Sequence, residues 1–260
     1  MTLLRLPAAA IGCCLLPAAA WADGLALSYD VYAGGTRAVE MQARIEVAPG
    51  SYRLDAALDL VGVYAVFSEW HMDVSANGLT AGGAVVPAGF VKSSEDGERW
   101  ARIAYADGVI ADAQGNPSPA AEDTSTVPAA VKAAAIDPLS GIVALLLQVG
   151  AANACGGTQV LYDGKSYFTV TAVDRGPGEA PGSRYGAYSG PAILCRITVD
   201  DGAAYGRVDD DPRVADIFLA QPVAGAPFVP VRIETETNYG AVRVHLTGFT
   251  PFVGETAQAQ

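Results

Sequence analysis

Two histidines, His71 and His245, and the two cysteines that follow the N-terminal segment, Cys155 and Cys195, are the scarce raw material for chemistry in this 260-residue chain. Each histidine falls on the polar phase of an alternating stretch, His71 between Glu69 and Asp73 and His245 between Arg243 and Thr247, which predicts solvated rings. A Ser/His/Asp site needs a shielded, oriented histidine, and no Gly-x-Ser-x-Gly turn is present to raise a serine. Two distant histidines fall short of the ligand count for zinc. The acidic runs Asp200-Asp201 and Asp209-Asp210-Asp211 lack the alternating spacing by which a calcium loop converges its carboxylates, and they read as solvated turns. Glycoside hydrolysis asks for two carboxylates facing each other across a groove. Glu40, Asp55, Glu69 and Glu234 supply carboxyl groups, but nothing singles out a pair. No catalytic residue, metal or cofactor is expected, which leaves a non-enzymatic role with a cell-envelope hydrolase as the competing class.

The address is easier to read. Arg5, the apolar stretch Leu6 to Ala20 and the small-x-small triplet Ala20-Trp21-Ala22 compose a secretory signal peptide, residues 1–22. The stretch is too short for a membrane span, and Pro7 and Pro17 interrupt it. Gly12-Cys13 resembles a lipidation site, but Ala10 stands where a leucine is wanted. Localisation in the periplasm follows, and with Arg5 removed the formal net charge of −12 becomes one unit more negative. Nucleic acid and anionic headgroups are poor partners for such a chain, because Lys and Arg supply most of that affinity. In an oxidising compartment Cys155 and Cys195 are expected to form a disulfide, whose loop of about 41 residues contributes roughly 4 kcal/mol in the chain-entropy model.

The elements that must position these residues are mostly strands. Leu25 to Val31, Val39 to Val47 and Tyr52 to Leu60 alternate at period two and are joined by Gly34-Gly35 and Pro49-Gly50, which makes an antiparallel meander. A fourth strand places Val66, Trp70, Met72 and Val74 inward. Ala81 to Lys92 and Glu98 to Ala106 are shorter strands, and residues 112 to 128 read as a polar loop. Ala129 to Ala135 adds a short helical turn. Asp137 then caps a helix over residues 138–149, Pro138 suits its first position, and Gly150 is expected to end it in the left-handed conformation. Leu139, Ile142, Val143, Leu145, Leu146, Leu147 and Val149 cover nearly its whole circumference, the pattern of a helix buried on most sides. Beyond it, Asp163-Gly164 marks a hairpin, Gly176 to Gly190 reads as a mobile loop, and Ile193 to Val199, Ile217 to Leu219, Val229 to Thr237 and Val242 to Leu246 are strands.

Ten or so strands and one helix predict a mainly β (α+β) fold, a strongly curved antiparallel half-barrel sheet wrapped around a buried helix. One domain over residues 23–253 is expected, with a disordered tail at 254–260. Tyr29, Tyr52, Leu58, Trp70 and Met72 lie on the phase that faces the helix. They either pack the core or line a cavity for a lipid-like molecule, with the 176 to 190 loop as its gate. An envelope protein is the other expected partner, and the chain is expected to be a monomer.

The segments Asp137-Pro138-Leu139-Ser140, Cys155-Gly156-Gly157, Tyr162-Asp163-Gly164-Lys165 and the cysteine after Gly190-Pro191 resemble a bacterial exported family, domain of unknown function 3108. The resemblance spans about Leu25 to Phe252. It implies a fold like that of the lipoprotein carriers LolA and LolB, with a hydrophobic cavity, and it brings no assigned reaction. Gly141, a weak helix former in the second turn of the helix, departs mildly from the pattern.

Overall fold

The computed structural model describes residues 24–66, 70–116, 129–200, 213–237 and 240–253. Seven strands come first: β1 (Gly24–Ala33), β2 (Thr36–Ala48), β3 (Ser51–Leu60), β4 (His71–Ala81), β5 (Ala84–Ser94), β6 (Trp100–Ala106) and β7 (Val109–Asn116). Two helices, α1 (Ala129–Ala134) and α2 (Pro138–Ala152), lead to β8 (Gly156–Tyr162), β9 (Tyr167–Ala180), β10 (Gly190–Asp200), β11 (Arg213–Ala220), β12 (Val229–Thr237) and β13 (Gly240–Phe252). The signal peptide and the tail predicted from sequence lie outside the described residues, as do Glu69 and Asp209 to Asp211.

All thirteen strands belong to one curved, unclosed antiparallel sheet in the order β7-β6-β5-β4-β3-β2-β1-β13-β12-β11-β10-β9-β8. The chain starts at the centre, works outward to β7, crosses through the helices to β8 at the far edge, and returns to pair β13 with β1. The expectation of about ten strands missed β7, whose sequence Val-Ile-Ala-Asp-Ala-Gln-Gly-Asn was read from residue 112 as loop. An edge strand with both faces mostly wet buries little and so shows little apolar alternation, while its inner edge pairs with β6. Val66 is another correction. It lies in a single 3-10 turn and is 78% exposed, so it does not point inward with β4.

Register aligns the inward side chains into rows. Leu25, Ile45, Leu54, Ala76, Phe90 and Ile103 stand opposite one another across β1 to β6, and all six are buried. Leu219, Val229, Val231 and Leu246 extend the core on the other half of the sheet. Into this concavity α2 inserts one stripe, Ser140, Val143, Leu146 and Val149. Burial on nearly all sides is therefore not what the helix has, since Ile142 is 40% exposed and Leu139 and Leu145 are only half-buried. The sheet supports α2 from β3, β4, β5 and β8 and leaves its far side open. Its N-terminus is capped as expected, with Asp137 accepting from the Ser140 N–H at 2.8 Å and Pro138 at the first turn. Its end differs. Gly150 stays helical, and Asn153, at φ 51°, takes the left-handed position and donates its N–H to the Val149 carbonyl. Gly141 also has a packing reason, because a Cβ there would lie 2.8 Å from Leu161 Cδ2, so its absence lets α2 approach β8 closely.

The two ends of the sheet meet without pairing. At the β8–β9 turn Gly164, at φ 90°, sits on Ala101 of β6, where any Cβ would come within 2.3 Å. Lys92 of β5 reaches Asp163 at 3.3 Å. Ile136, just before α2, bridges to Leu161, so the outer edge of β8 is covered at its C-terminal end.

Candidate functional site

The same register that builds the core also builds the opposite face. One outward row runs Gly248, Ser28, Gln42, Ala57, Asp73, Ser93 across β13, β1, β2, β3, β4 and β5. The next row runs Thr250, Ala26, Arg44, Asp55, Ser75, Val91 across the same strands. Seven of these twelve are Gly, Ala, Ser or Thr, so much of the face is low, most of all on β13 and β1, while Gln42, Arg44, Asp55 and Asp73 stand up on β2 to β4. The result is an open groove of about 550 Å³ crossing six strands, a volume typical of ligand sites.

Its polar groups are held in place. Ser28 Oγ donates to Gln42 Oε1 at 2.7 Å. Arg53 forks onto Asp55 with distances of 2.7 and 2.9 Å. His71 bridges Asp59, at 2.6 Å from Nδ1, and Asp73, at 3.2 Å from Nε2, and these two carboxylates raise its pKa. Arg44 lies 4.2 Å above the Phe252 ring and forms no ion pair among the described residues. Beyond the last groove strand, Trp100 stands opposite Ser93 on the same outward face and is 37% exposed.

Two further clusters are closed to solvent. Inside the sheet Asp137 and Ser140 have no exposed surface. Asp137 Oδ2 accepts from Ser140 Oγ at 2.6 Å and from Tyr105 at 3.3 Å, and Ser140 Oγ also meets the Tyr52 hydroxyl at 2.6 Å. Burial raises the Asp137 pKa against the opposing pull of these hydrogen bonds and pushes Tyr52 up to about 12. Half-buried Tyr105 is raised by desolvation and then by the neighbouring carboxylate. With no access for a substrate, the cluster anchors α2 to β3 and β6. On the outer face, the segment between β9 and β10 folds over His245. Tyr185 lies 4.7 Å from the Tyr32 ring, and Ala187 donates to the Leu246 carbonyl at 2.7 Å. His245 is thus only 5% exposed, and burial followed by the charge of Arg232 lowers its pKa.

Among the described residues no group of three or more His, Cys, Asp or Glu side chains is placed to hold a metal ion. No helix among them is long and apolar enough to cross a membrane. The family model of DUF3108, a protein family of unknown function, matches residues 28–247. The chain belongs to DUF3108. It is also similar, at 10% identity and a TM-score of 0.46, to the crystal structure of a β-barrel-like protein of domain of unknown function DUF1849 from Brucella abortus, over 89% of this chain and 99% of that one. No curated protein matches.

The DUF3108 motif residues have structural duties here. Asp137 and Ser140 form the buried cap, Asp163-Gly164 forms the turn that touches β6, and Cys155 is bonded to Cys195, with Cα atoms 6.1 Å apart. That bond ties the exit of α2 to the middle of β10. Of the inward residues singled out from sequence, Tyr29 and Tyr52 are fully packed in the core, while Leu58, Trp70 and Met72 are half-buried. None of the five lines the groove. His71 is on the wet face as expected, whereas His245 is not solvated, because the segment predicted as a mobile loop is the cover that packs on it. Only its middle, 181–189, lies outside strands. The groove residues were missed. Their signal was present on the polar phase of the first strands, where Ala26, Ser28, Ala57 and Ser75 stand in place of the long charged side chains usual at a solvated position.

Proposed function

We propose that this DUF3108 chain is an exported, non-enzymatic binding module of the bacterial cell envelope, and that the outward groove is its ligand surface. The observation that carries the reading is the alignment of small side chains on five of six adjacent strands, interrupted at β2 by Gln42 and Arg44, beside polar groups that are already held by neighbours. Preorganised polar groups lose little freedom on binding, which favours recognition. Export is supported by the Ala20-Trp21-Ala22 cleavage signal and by the Cys155–Cys195 bond, since such bonds persist in oxidising compartments. Ala57→Tyr tests the proposal. Tyrosine suits a strand and would fill the groove floor without touching the core face. Envelope compounds that co-purify with the wild type, identified by mass spectrometry, should be lost from the variant at unchanged melting temperature. Identical profiles would refute the reading.

A second reading, carriage of an apolar ligand within the curve as in the LolA and LolB carriers, is favoured by the half-buried pair Leu58 and Met72, which face each other across β3 and β4, with Trp70 beside them. Uptake of a fluorescent fatty acyl probe that persists in Ala57→Tyr and is lost in Met72→Asp would support this carrier instead.

A further inference from the structure

We infer, building on the groove reading, that the ligand is a neutral linear saccharide lying across the strands, with Trp100 as the stacking platform at one end. Four observations converge on this chemistry. The groove follows side-chain rows perpendicular to β13 through β5, so its recognition groups repeat at the strand spacing of about 4.8 Å, close to the advance of one pyranose along a glycan chain. Over six strands that makes a track of roughly 24 Å, enough for several rings.

The lining mixes polar and small apolar groups, as the surface of a sugar ring does. Ser28, Gln42, Ser75 and Ser93 offer neutral donors and acceptors, and Asp55 is fixed as a planar acceptor by Arg53. Between them Ala26, Ala57 and Val91 offer separate small apolar contacts for ring C–H groups. Such scattered apolar contacts do not suit an acyl chain, which needs continuous apolar cover.

Charge and backbone exclude the other polymers. Asp55 is held by Arg53 and Asp73 by His71, so among the described groove-lining residues Arg44 is the one cation, too few for a polyanion, which the chain charge of −12 also disfavours. An extended peptide is recognised through a free sheet edge, but β1 to β5 are each paired on both sides. The fourth observation is Trp100. Its partner rows inward, Ala101 and Ile103, are buried, while its indole is left exposed in line with Asp73 and Ser93. The indole is 37% exposed, and its flat electron-rich face matches the C–H face of a pyranose.

Uniformly ¹⁵N-labelled protein is titrated separately with chitohexaose, cellohexaose and maltohexaose, and with a tryptic peptide pool and a lysophospholipid. At least one hexaose is expected to shift the amides of Ser28, Gln42, Ala57 and Asp73 and the Trp100 indole N–H. Trp100→Ala should weaken that binding roughly tenfold, with the amide spectrum of the rest of the protein showing that the variant is folded. Hexaoses that leave every groove amide unmoved, or that shift only residues elsewhere, overturn the saccharide assignment. If the peptide pool or the lysophospholipid then shifts the groove amides, the binding module itself stands with another ligand. Silence of the groove towards all five probes removes both.

Discussion

Removal of the Asp137 carboxylate tests how α2 is fixed within the sheet. In Asp137→Ala the Ser140 N–H loses its cap, worth about 1 kcal/mol. The Tyr105 hydroxyl loses its buried partner, at a cost of about 1–3 kcal/mol. Ser140 Oγ keeps the Tyr52 hydroxyl at 2.6 Å and is not orphaned. Relief of the desolvated carboxylate offsets part of this, leaving a net loss of about 2 kcal/mol. For a domain of this size that lowers the melting temperature by roughly 4–8 °C. The pH dependence has a definite sign. Burial raises the folded-state pKa of Asp137, so the penalty for its charge is fully present above that raised value. It is relieved as pH falls through it toward the unfolded value near 3.9. The stability advantage of the wild type over Asp137→Asn, which cannot titrate, should therefore grow on acidification. Differential scanning calorimetry from pH 7 to 4 reads both effects. An advantage that shrinks toward acid would mean that the hydrogen bonds outweigh burial, and an Asp137→Ala protein as stable as the wild type at pH 7 would refute the anchoring argument.

The remaining expectations are more direct. Leu146→Ala should cost about 2–5 kcal/mol in chemical denaturation, since Leu146 is 4% exposed, and half-exposed Ile142→Ala should cost much less. Intact mass should be lower by two hydrogens for the Cys155–Cys195 bond, and replacing both cysteines with Ala should lower stability by about 4 kcal/mol at most, through the unfolded chain. In proton NMR His71 should titrate at higher pH than His245, because the first is raised by Asp59 and Asp73 and the second is lowered by burial. The ion-pair stabilisation at His71 should be present below the ordinary histidine range and lost as pH rises through its raised pKa, and Asp73→Asn should bring the His71 titration down.

Where one face of a strand is dry, the sequence was readable. β1, β2 and β3 bury alternate residues and were placed within a few residues of their ends. The cap at Asp137 was legible because it needs only a short side chain and the following turn. β7 was hidden because its inner positions beyond Ile110 are only Ala113 and Gly115, and the helix end moved from Gly150 to Asn153 because Ala151 and Ala152 favour helix and Asn tolerates the left-handed conformation. The groove was harder still. It is made by positions 11 to 20 residues apart on β1 to β5, and some 220 residues away on β13, that only cross-strand register brings into line, and His245 was misjudged because its cover comes from a segment some sixty residues earlier in the chain.

The strand order also has a kinetic side. Twelve pairings make the sheet, and eleven of them join strands that follow one another in sequence. The twelfth, β1 with β13, brings Gly24 opposite Phe252. Two local meanders should therefore form first, with the central seam zipping late, since it alone requires closure of nearly the whole chain. A circular permutant that links Phe252 to Gly24 by a short turn and opens between β7 and α1 would convert that seam into a hairpin. The permuted protein should reach the same sheet faster, at nearly the same stability, with the former ends buried in the middle of an uninterrupted meander.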